Sequence, residues 1–522
     1  MSRNQHQDPS AGTLIISALV VLNAIVLKDG YTSGSVGYSW LFSTIPLLFI
    51  AIVNTLQRKH AILRNYPLLG YLRYWLESIR PEMRQYFFES DLDGAPFNRR
   101  QRSIVYQRSK NEKQTVAFGK QTDSGKPGSE WLAHTAYPSA VEGSDLKVWI
   151  GNKQCRQPYH ASILNIGAMS YGALSKTAIE SLNRGAQLGG FAHNTGEGGI
   201  SDHHLCGGDL IWQIGTGYFG CRDEAGNFDE KLFRKNAERP EVKMIELKIS
   251  QGAKPGHGGI LPAAKNTAEI AAIRHVKAGT TVASPPAHSS FSDANGMLEL
   301  LQQMRYLSGG KPVGFKICIG DKQEFETMCK AMVNTRIVPD FIAIDGSEGG
   351  TGAAPLEFTD HLGMPLHEAL VFVSTTLQAT GLRRSIRIIA AGKIITGFDI
   401  LKALSLGADA CYSARGMMFS LGCIQALQCD SGKCPVGIAT QNPKLYKGLD
   451  VTDKKVRVAN FHNNTIKATM ELMEACGFKT LADIRPEKFF RRVNVEETKS
   501  FRDIYFKEPA PLVQDKRFHH LN

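Results

Sequence analysis

The chain has 522 residues, 43% of them hydrophobic, ten cysteines and a formal net charge of +12. That length exceeds one ordinary core but suits one large barrel with appendages. Ten unevenly spread cysteines make no disulfide framework, and a basic excess gathered in one segment, without a patterned basic surface, argues against a nucleic-acid-binding protein.

Residues 11–27 and 37–56 carry no charged side chain and approach or reach bilayer-spanning length. They are expected to form a transmembrane helical hairpin within residues 1–60. A loop whose only charges are Lys28 and Asp29 separates them, and Arg58, Lys59, Arg64 and Arg73 follow the second run. That bias predicts a two-pass protein of the inner or cell membrane, with its N-terminus and catalytic domain cytoplasmic. No A-x-A-type cleavage site follows the first run and the second is too long for a signal core, so a signal peptide is disfavoured; a buried helical pair is the other reading. Residues 61–150 are a basic segment preceding the barrel. From 58 to 113, twelve Lys or Arg stand against six Asp or Glu, a surplus that suits anionic lipid head groups.

Beyond about residue 155, short β-rich runs alternate with helix-like stretches, as in repeated parallel β-α units. Strands are expected at 162–167, 190–193, 244–249, 280–283, 313–317, 341–345, 386–391 and 410–413, with residues 195–242 as an elaborated loop. The fold class is α/β, a (β/α)8 TIM barrel over 151–480 with an N-terminal transmembrane helical hairpin and a C-terminal helical extension. Residues 461–476 read as a helix packed after the barrel, and 481–522 as a polar tail.

In such a barrel the chemistry collects where strands end. After the first strand, the small residues around Ala168, Met169 and Ser170 let backbone approach a flat ring. After the seventh come Gly392 and Lys393, and after the eighth Ala414, Arg415 and Gly416. Glycine turns there commonly bind a phosphate such as that of FMN, although turn formation alone also explains them. Cys423, Cys429 and Cys434 have five and four residues between them, and Pro435 follows the last. Three close thiolates suit an iron–sulfur cluster and a reducing compartment; zinc and simple buried thiols are the rival readings.

The runs Leu247-Lys-Ile-Ser-Gln-Gly-Ala-Lys-Pro-Gly-His-Gly-Gly259, Ser284-Pro-Pro286, Asp345-Gly-Ser-Glu-Gly-Gly-Thr-Gly-Ala353 and the thiol segment 423–441 together resemble the FMN-binding synthase domain of glutamate synthase, over about 155–480. The basic segment with Arg80-Pro81 and Arg84-Gln-Tyr-Phe87 resembles the shorter stand-alone branch of that family. The resemblance implies hydride transfer from reduced FMN to an imine of 2-oxoglutarate and ammonia, with a 3Fe-4S cluster on Cys423, Cys429 and Cys434 feeding electrons to the flavin. It further implies that Lys316 meets the flavin's N1 and C2 carbonyl edge, that Gly349 and Gly350 border the cofactor, that Lys254 and Arg274 hold flavin or keto-acid carboxylates, with Lys254 also beside the chemistry, and that Glu197 transfers a proton near the reacting carbon.

The chain departs from the family pattern at His257 and Ile260, where the family has Glu and Gln, so another 2-oxo acid is a possible substrate. The family's amidotransferase region and a second nucleotide-binding domain are not evident. Free ammonium or an amidotransferase subunit would supply nitrogen, and a separate donor protein or a membrane quinone the electrons. Two other readings are a membrane-tethered flavin and iron–sulfur electron-transfer module with a different or no small substrate, and a degenerate barrel serving as scaffold or sensor.

Overall fold

The computed structural model describes residues 11–33, 38–112, 114–143 and 146–506, and it divides into two compact units, Met1–Arg99 and Arg100–Asn522.

In the first unit an apolar helix, Ala11–Ser33, is long and apolar enough over Ala11–Thr32 to cross a membrane. Lys28 and Asp29 lie inside this helix and not in the expected loop, since nothing before residue 34 breaks the helical backbone. The second helix, Leu41–Leu56, starts four residues later than expected. Its 16 residues rise about 24 Å, short of a hydrocarbon core of about 30 Å. The two helices pack side by side, and the buried Thr44 Oγ1 donates to Asn23 Oδ1 at 2.8 Å. Of the expected hairpin, the helix pair is present and one helix reaches spanning length. Helix Gly70–Met83 follows, and a wider π-helical turn, Arg84–Phe88, extends it.

In the second unit eight parallel strands close a barrel: β1 (Leu164–Ile166), β2 (His193–Asn194), β3 (Leu210–Ile214), β4 (Val242–Lys248), β5 (Val313–Ile317), β6 (Phe341–Asp345), β7 (Arg387–Ala391) and β8 (Ala410–Ser413). β8 pairs with β1 in register Ser413 to Ile166, which completes the ring. Seven of the eight expected strands overlap barrel strands, the second only at His193, and two corrections are needed. β3 lies inside the stretch expected to be loop; its alternation is hidden by Gln213, whose side chain points into a polar interior and donates to Glu246 at 2.7 Å. Residues 280–283 are not a barrel strand. Only Val282–Ala283 is extended, pairing antiparallel with Ile260–Leu261, and Pro285-Pro286 just beyond cannot donate to a ladder.

The barrel floor is closed by the hairpin Lys147–Ile150 and Tyr159–Ser162, whose Ile150 and Ala161 join Ile211, Met244, Phe341 and Ile389 in the core. Above that apolar layer Glu246 is fully buried and accepts from Asn194 (2.9 Å), Gln213 and the Tyr412 hydroxyl (3.0 Å). A satisfied network of this kind fixes four strands in register.

The expected C-terminal extension is an integral part of the barrel. Helix Val451–Cys476 packs between Lys176–Gly189 and Gly397–Ser405, the outer helices after β1 and β7, and so takes the place of the eighth outer helix. The segment expected to be a tail is folded as far as residue 506: Phe489–Arg492 pairs with Glu130–Leu132 and Thr498–Ser500, and Glu130 binds Arg491 (2.7 Å) and Lys402 (3.0 Å). Residues 507–522 of that predicted tail lie outside the described residues.

Candidate active site

The strand ends gather the predicted residues into adjoining clusters. Glu197 stands in the glycine turn after β2. Its carboxylate, 19% exposed, lies 3.0 Å from the Lys248 ammonium at the end of β4. Space for it depends on glycine. A Cβ on Gly259 would sit 2.6 Å from Oε1, and one on Gly215 would overlap Oε2. Burial opposes its charge, but Lys248, Arg274 and Lys254 outweigh burial and hold the carboxyl below its ordinary value.

Arg274 ends helix Ala268–Arg274 and is 5% exposed, so it is no surface helix residue. Its Nη2 donates to the Tyr171 carbonyl (3.1 Å), the guanidinium covers Phe219 with 4.9 Å to the ring centroid, and Nε has no partner among the described residues. Burial brings its pKa down to about 10, which leaves it cationic at neutral pH. Lys254 is buried and donates to the carbonyls of Gly258 (2.7 Å) and Ala353 (3.3 Å); burial and the neighbouring Lys248 lower its pKa. One carboxylate thus stands among three cations. The cleft beside them is lined by Thr216, His257, Pro285 and Pro286. His257 rests edge-on against Phe358, while Ile260 is 44% exposed on its two-residue strand.

Sequence reasoning overlooked Lys248, although the strand-end rule that singles out Lys316 applies equally to it. Lys316 lies near the end of β5 and binds Asp345 Oδ2 of β6 at 3.1 Å. Burial works against the Lys316 charge, but Asp345 and Glu246 outweigh it, with Glu197 adding to them, and the ammonium is held above its ordinary value. The field of Glu197 therefore reaches Lys316, and the two ion pairs are neighbours. Asp345 also accepts from Gly252 N at 2.9 Å, tying the β4 loop to the β6 loop.

The remaining predicted residues form a second wall. Gly196 lies directly on the turn holding Ala168, Met169 and Ser170, where a Cβ would be 2.7 Å from Ser170 N. Ser413 Oγ donates to the Ile394 carbonyl (2.7 Å) and occupies the space a Cβ on Gly416 would need, which joins the turns after β7 and β8. Lys393 takes φ of 51°, and Gly392 sits against Leu366. Ala414 lies against Gly167. Arg415 donates to the Glu348 carbonyl, and its Nη1 would be 2.7 Å from a Cβ on Gly350; a Cβ on Gly349 would sit 2.9 Å from Ala253 N. Burial lowers the pKa of Arg415 and of Lys393.

The three cysteines lie in the loop between helices Arg415–Ser420 and Val451–Cys476. Burial pushes the Cys423 thiol up to about 11, and Cys429 and Cys434 add to it. Cys429 is raised by burial and by Cys434. The buried Lys265 donates to the Cys429 carbonyl at 2.7 Å, Gln425 N to Cys423 Sγ at 3.4 Å, and the Tyr106 hydroxyl to the Cys423 carbonyl at 2.6 Å. Among the described residues no three His, Cys, Asp or Glu side chains are gathered into a metal-binding group, Cys423, Cys429 and Cys434 included.

A (β/α)8 barrel with cationic residues and glycine turns at its strand ends defines the class. The family model described as "Conserved region in glutamate synthase" matches residues 132–479, and the chain belongs to the glutamate synthase family. It is 38% identical over 481 residues to the glutamate synthase large subunit-like protein YerD of Bacillus subtilis, covering 84% of this chain and 91% of that one. It is 37% identical over 328 residues to the archaeal glutamate synthase [NADPH] of Methanocaldococcus jannaschii, covering 61% and 60%. With the glutamate synthase [NADPH] large chain of B. subtilis it shares 32% identity over 325 residues, 61% of this chain and 20% of that one. The chain is an oxidoreductase of the class acting on CH–NH2 groups.

Proposed function

We propose that the chain reductively aminates a 2-oxo dicarboxylic acid, 2-oxoglutarate to glutamate, using FMN and a 3Fe-4S cluster. The observation that carries this reading is the charge balance of the cleft. Glu197 offsets one of Lys248, Lys254 and Arg274, which leaves a surplus of two positive charges and matches the two carboxylates of such a substrate. Membership of the glutamate synthase family supports the same substrate.

FMN suits the second wall, because the glycine turns after β7 and β8 carry Lys393 and Arg415 as cations for its phosphate, and Gly350, Gly392 and Gly416 let these turns pack against Arg415, Leu366 and Ser413 where a Cβ would clash. Lys393 and Arg415 would face its phosphate, and Lys316 its ring. Cys423, Cys429 and Cys434 would hold the cluster after drawing closer together than they stand here, with Lys265 on the Cys429 carbonyl offsetting its negative charge. When bound, FMN supplies hydride transfer and the cluster one-electron delivery. Lys254 and Arg274 orient the substrate carboxylates. The Glu197 carboxylate, 3.0 Å from Lys248 Nζ, is the group that would transfer a proton near the reacting carbon. His257, Pro285 and Pro286 line the cleft beside these groups.

Helix Ala11–Thr32 supports a membrane tether, and the Arg and Lys residues after the second helix support a two-pass orientation with a cytoplasmic barrel. Electrons would come from a separate protein or a quinone, and ammonia from solution or an amidotransferase subunit. The test is anaerobic purification in mild detergent with flavin release, an iron count and an absorption spectrum, then reoxidation of the reduced protein by 2-oxoglutarate plus ammonium. Rapid reoxidation supports the synthase. The same cofactors without reoxidation would shift the reading to another 2-oxo acid or to electron relay, and absence of flavin would overturn it.

A further inference from the structure

Helix Gly70–Met83 and the turn Arg84–Phe88 are exposed along almost their whole length, yet they are not uniformly polar. At 100° per residue, Tyr71, Leu72, Trp75, Leu76, Ile79 and Met83 fall within one arc of about 140°, which Glu82 enters near its edge, and Arg73, Glu77 and Arg80 fall opposite. Leu72 is 55% exposed, Trp75 57% and Leu76 50%. The following turn adds Phe87 and Phe88, 73% and 76% exposed. Within this unit Tyr71 donates to Asn54 Oδ1 at 3.3 Å, and Leu72, Trp75 and Leu76 remain exposed.

We propose that residues 70–88 lie flat in the interface of an anionic lipid bilayer, with the Trp75 stripe in the acyl boundary and the arginines at the head groups. Three observations favour lipid over a protein partner. Arg73, Glu77, Arg80, Glu82 and Arg84 forbid insertion across the hydrocarbon core, so an apolar stripe on this helix meets a membrane only from its surface. The charge is complementary: from Arg58 to Arg84 six Lys or Arg stand against Glu77 and Glu82. And the same unit carries the helix Ala11–Thr32, already apolar and long enough to enter a bilayer. The stripe carries Tyr71 and Trp75, whose apolar rings with a polar edge settle at membrane surfaces. This inference rests on the membrane tether proposed above.

The test uses the full chain in nanodiscs of phosphatidylcholine with or without phosphatidylglycerol. Trp75 emission is taken as the difference between the wild-type protein and Trp75→Phe, because four other tryptophans contribute. The expected result is at least twofold quenching of Trp75 by lipids brominated near the head group, with little quenching by aqueous iodide, in phosphatidylglycerol discs. In the R73Q/R80Q/R84Q protein that quenching should fall at least twofold. Failure of the chain to enter discs would overturn the tether itself. A chain that enters discs while Trp75 stays open to iodide would overturn the interfacial helix alone. Trp75 shielded from both quenchers, with self-association on cross-linking, would give the stripe to a second copy and overturn the proposal; quenching equal with and without phosphatidylglycerol would overturn its anionic component.

Discussion

Replacing Glu197 by Gln keeps the shape of the cleft but leaves Lys248, Lys254 and Arg274 without a counter-charge. Breaking one side of a largely buried pair costs about 3 kcal/mol, and the 3.0 Å Glu197–Lys248 contact is such a pair. Unfolding entropy of about 2.1 cal/mol/K per residue, over the roughly 420 residues of the second unit, converts this to a loss of about 3–4 °C in Tm. The ligand response should move the other way. The positive surplus rises from two to three, so saturating 2-oxoglutarate should raise the Tm of E197Q by more than it raises that of the wild type, where a hundredfold excess over Kd contributes about 2.7 kcal/mol. Differential scanning fluorimetry of the detergent-solubilised chain, with 2-oxoglutarate and with a monocarboxylic 2-oxo acid as control, reads both effects. An E197Q Tm equal to wild type, or a smaller dicarboxylate shift than in wild type, would refute the charge-surplus reasoning. The pH dependence carries a sign as well. The folded-state pKa of Glu197 is depressed, so its contribution is full above the ordinary carboxylate value of about 4.3 and is lost as pH falls below that range.

Asp340 is fully buried, binds Arg305 at 3.0 Å and accepts from Asn152 N and Val313 N at 2.8 Å each, so Arg305→Met should cost about 3–5 kcal/mol in urea unfolding, and a loss below about 1 kcal/mol would contradict it. Gly258→Ala would drive a Cβ into the Ser284 carbonyl; it should displace Pro285 and Pro286 and weaken 2-oxo acid binding at least tenfold, which isothermal titration against wild type would check. His462 is buried, stacks on Phe191 with centroids 3.9 Å apart and meets Ser162 Oγ at 2.9 Å, and burial lowers its pKa to about 4. Its folded pKa lies below the ordinary 6.5, so its share of stability is full above that value and falls away between pH 6.5 and 4, by about 3 kcal/mol at the end of the range. His462→Phe should flatten the stability profile there, and an unchanged slope would assign acid sensitivity to other groups.

The barrel was legible where its strands are apolar and unbroken, as in Phe341–Asp345 and Ala410–Ser413. It was not legible at Leu210–Ile214, because a strand that turns Gln213 toward a buried carboxylate loses the hydrophobic alternation that local pattern detects. The partner that makes Gln213 an interior residue, Glu246, lies 33 positions away. The same limit hid the closure of the outer ring: helical period identifies Val451–Cys476 as a helix, but only its contacts with Lys176–Gly189 and Gly397–Ser405 make it the eighth. Strand-end position located Lys316, whereas Lys248 went unremarked because its importance comes from Glu197, on a different strand end. Lys28 and Asp29 show the converse error, since charge alone does not end a helix.

The cysteine loop and the phosphate turn are mechanically joined. Helix Arg415–Ser420 spans only about 9 Å and leads straight from Arg415 to Cys423. The loop after β6 touches both ends of that path: a Cβ on Gly350 would sit 2.7 Å from the Arg415 guanidinium, and one on Gly352 would sit 3.1 Å from Cys429 Cβ. Two glycines two residues apart therefore bring one stretch of backbone against the turn assigned to FMN and the thiols assigned to the cluster. Close spacing held by rigid backbone suits electron passage between two centres. A side chain at Gly352 should accordingly disturb both: Gly352→Val should lower bound iron and flavin together on anaerobic purification. Loss of one with full retention of the other would show that the loop supports the two centres separately.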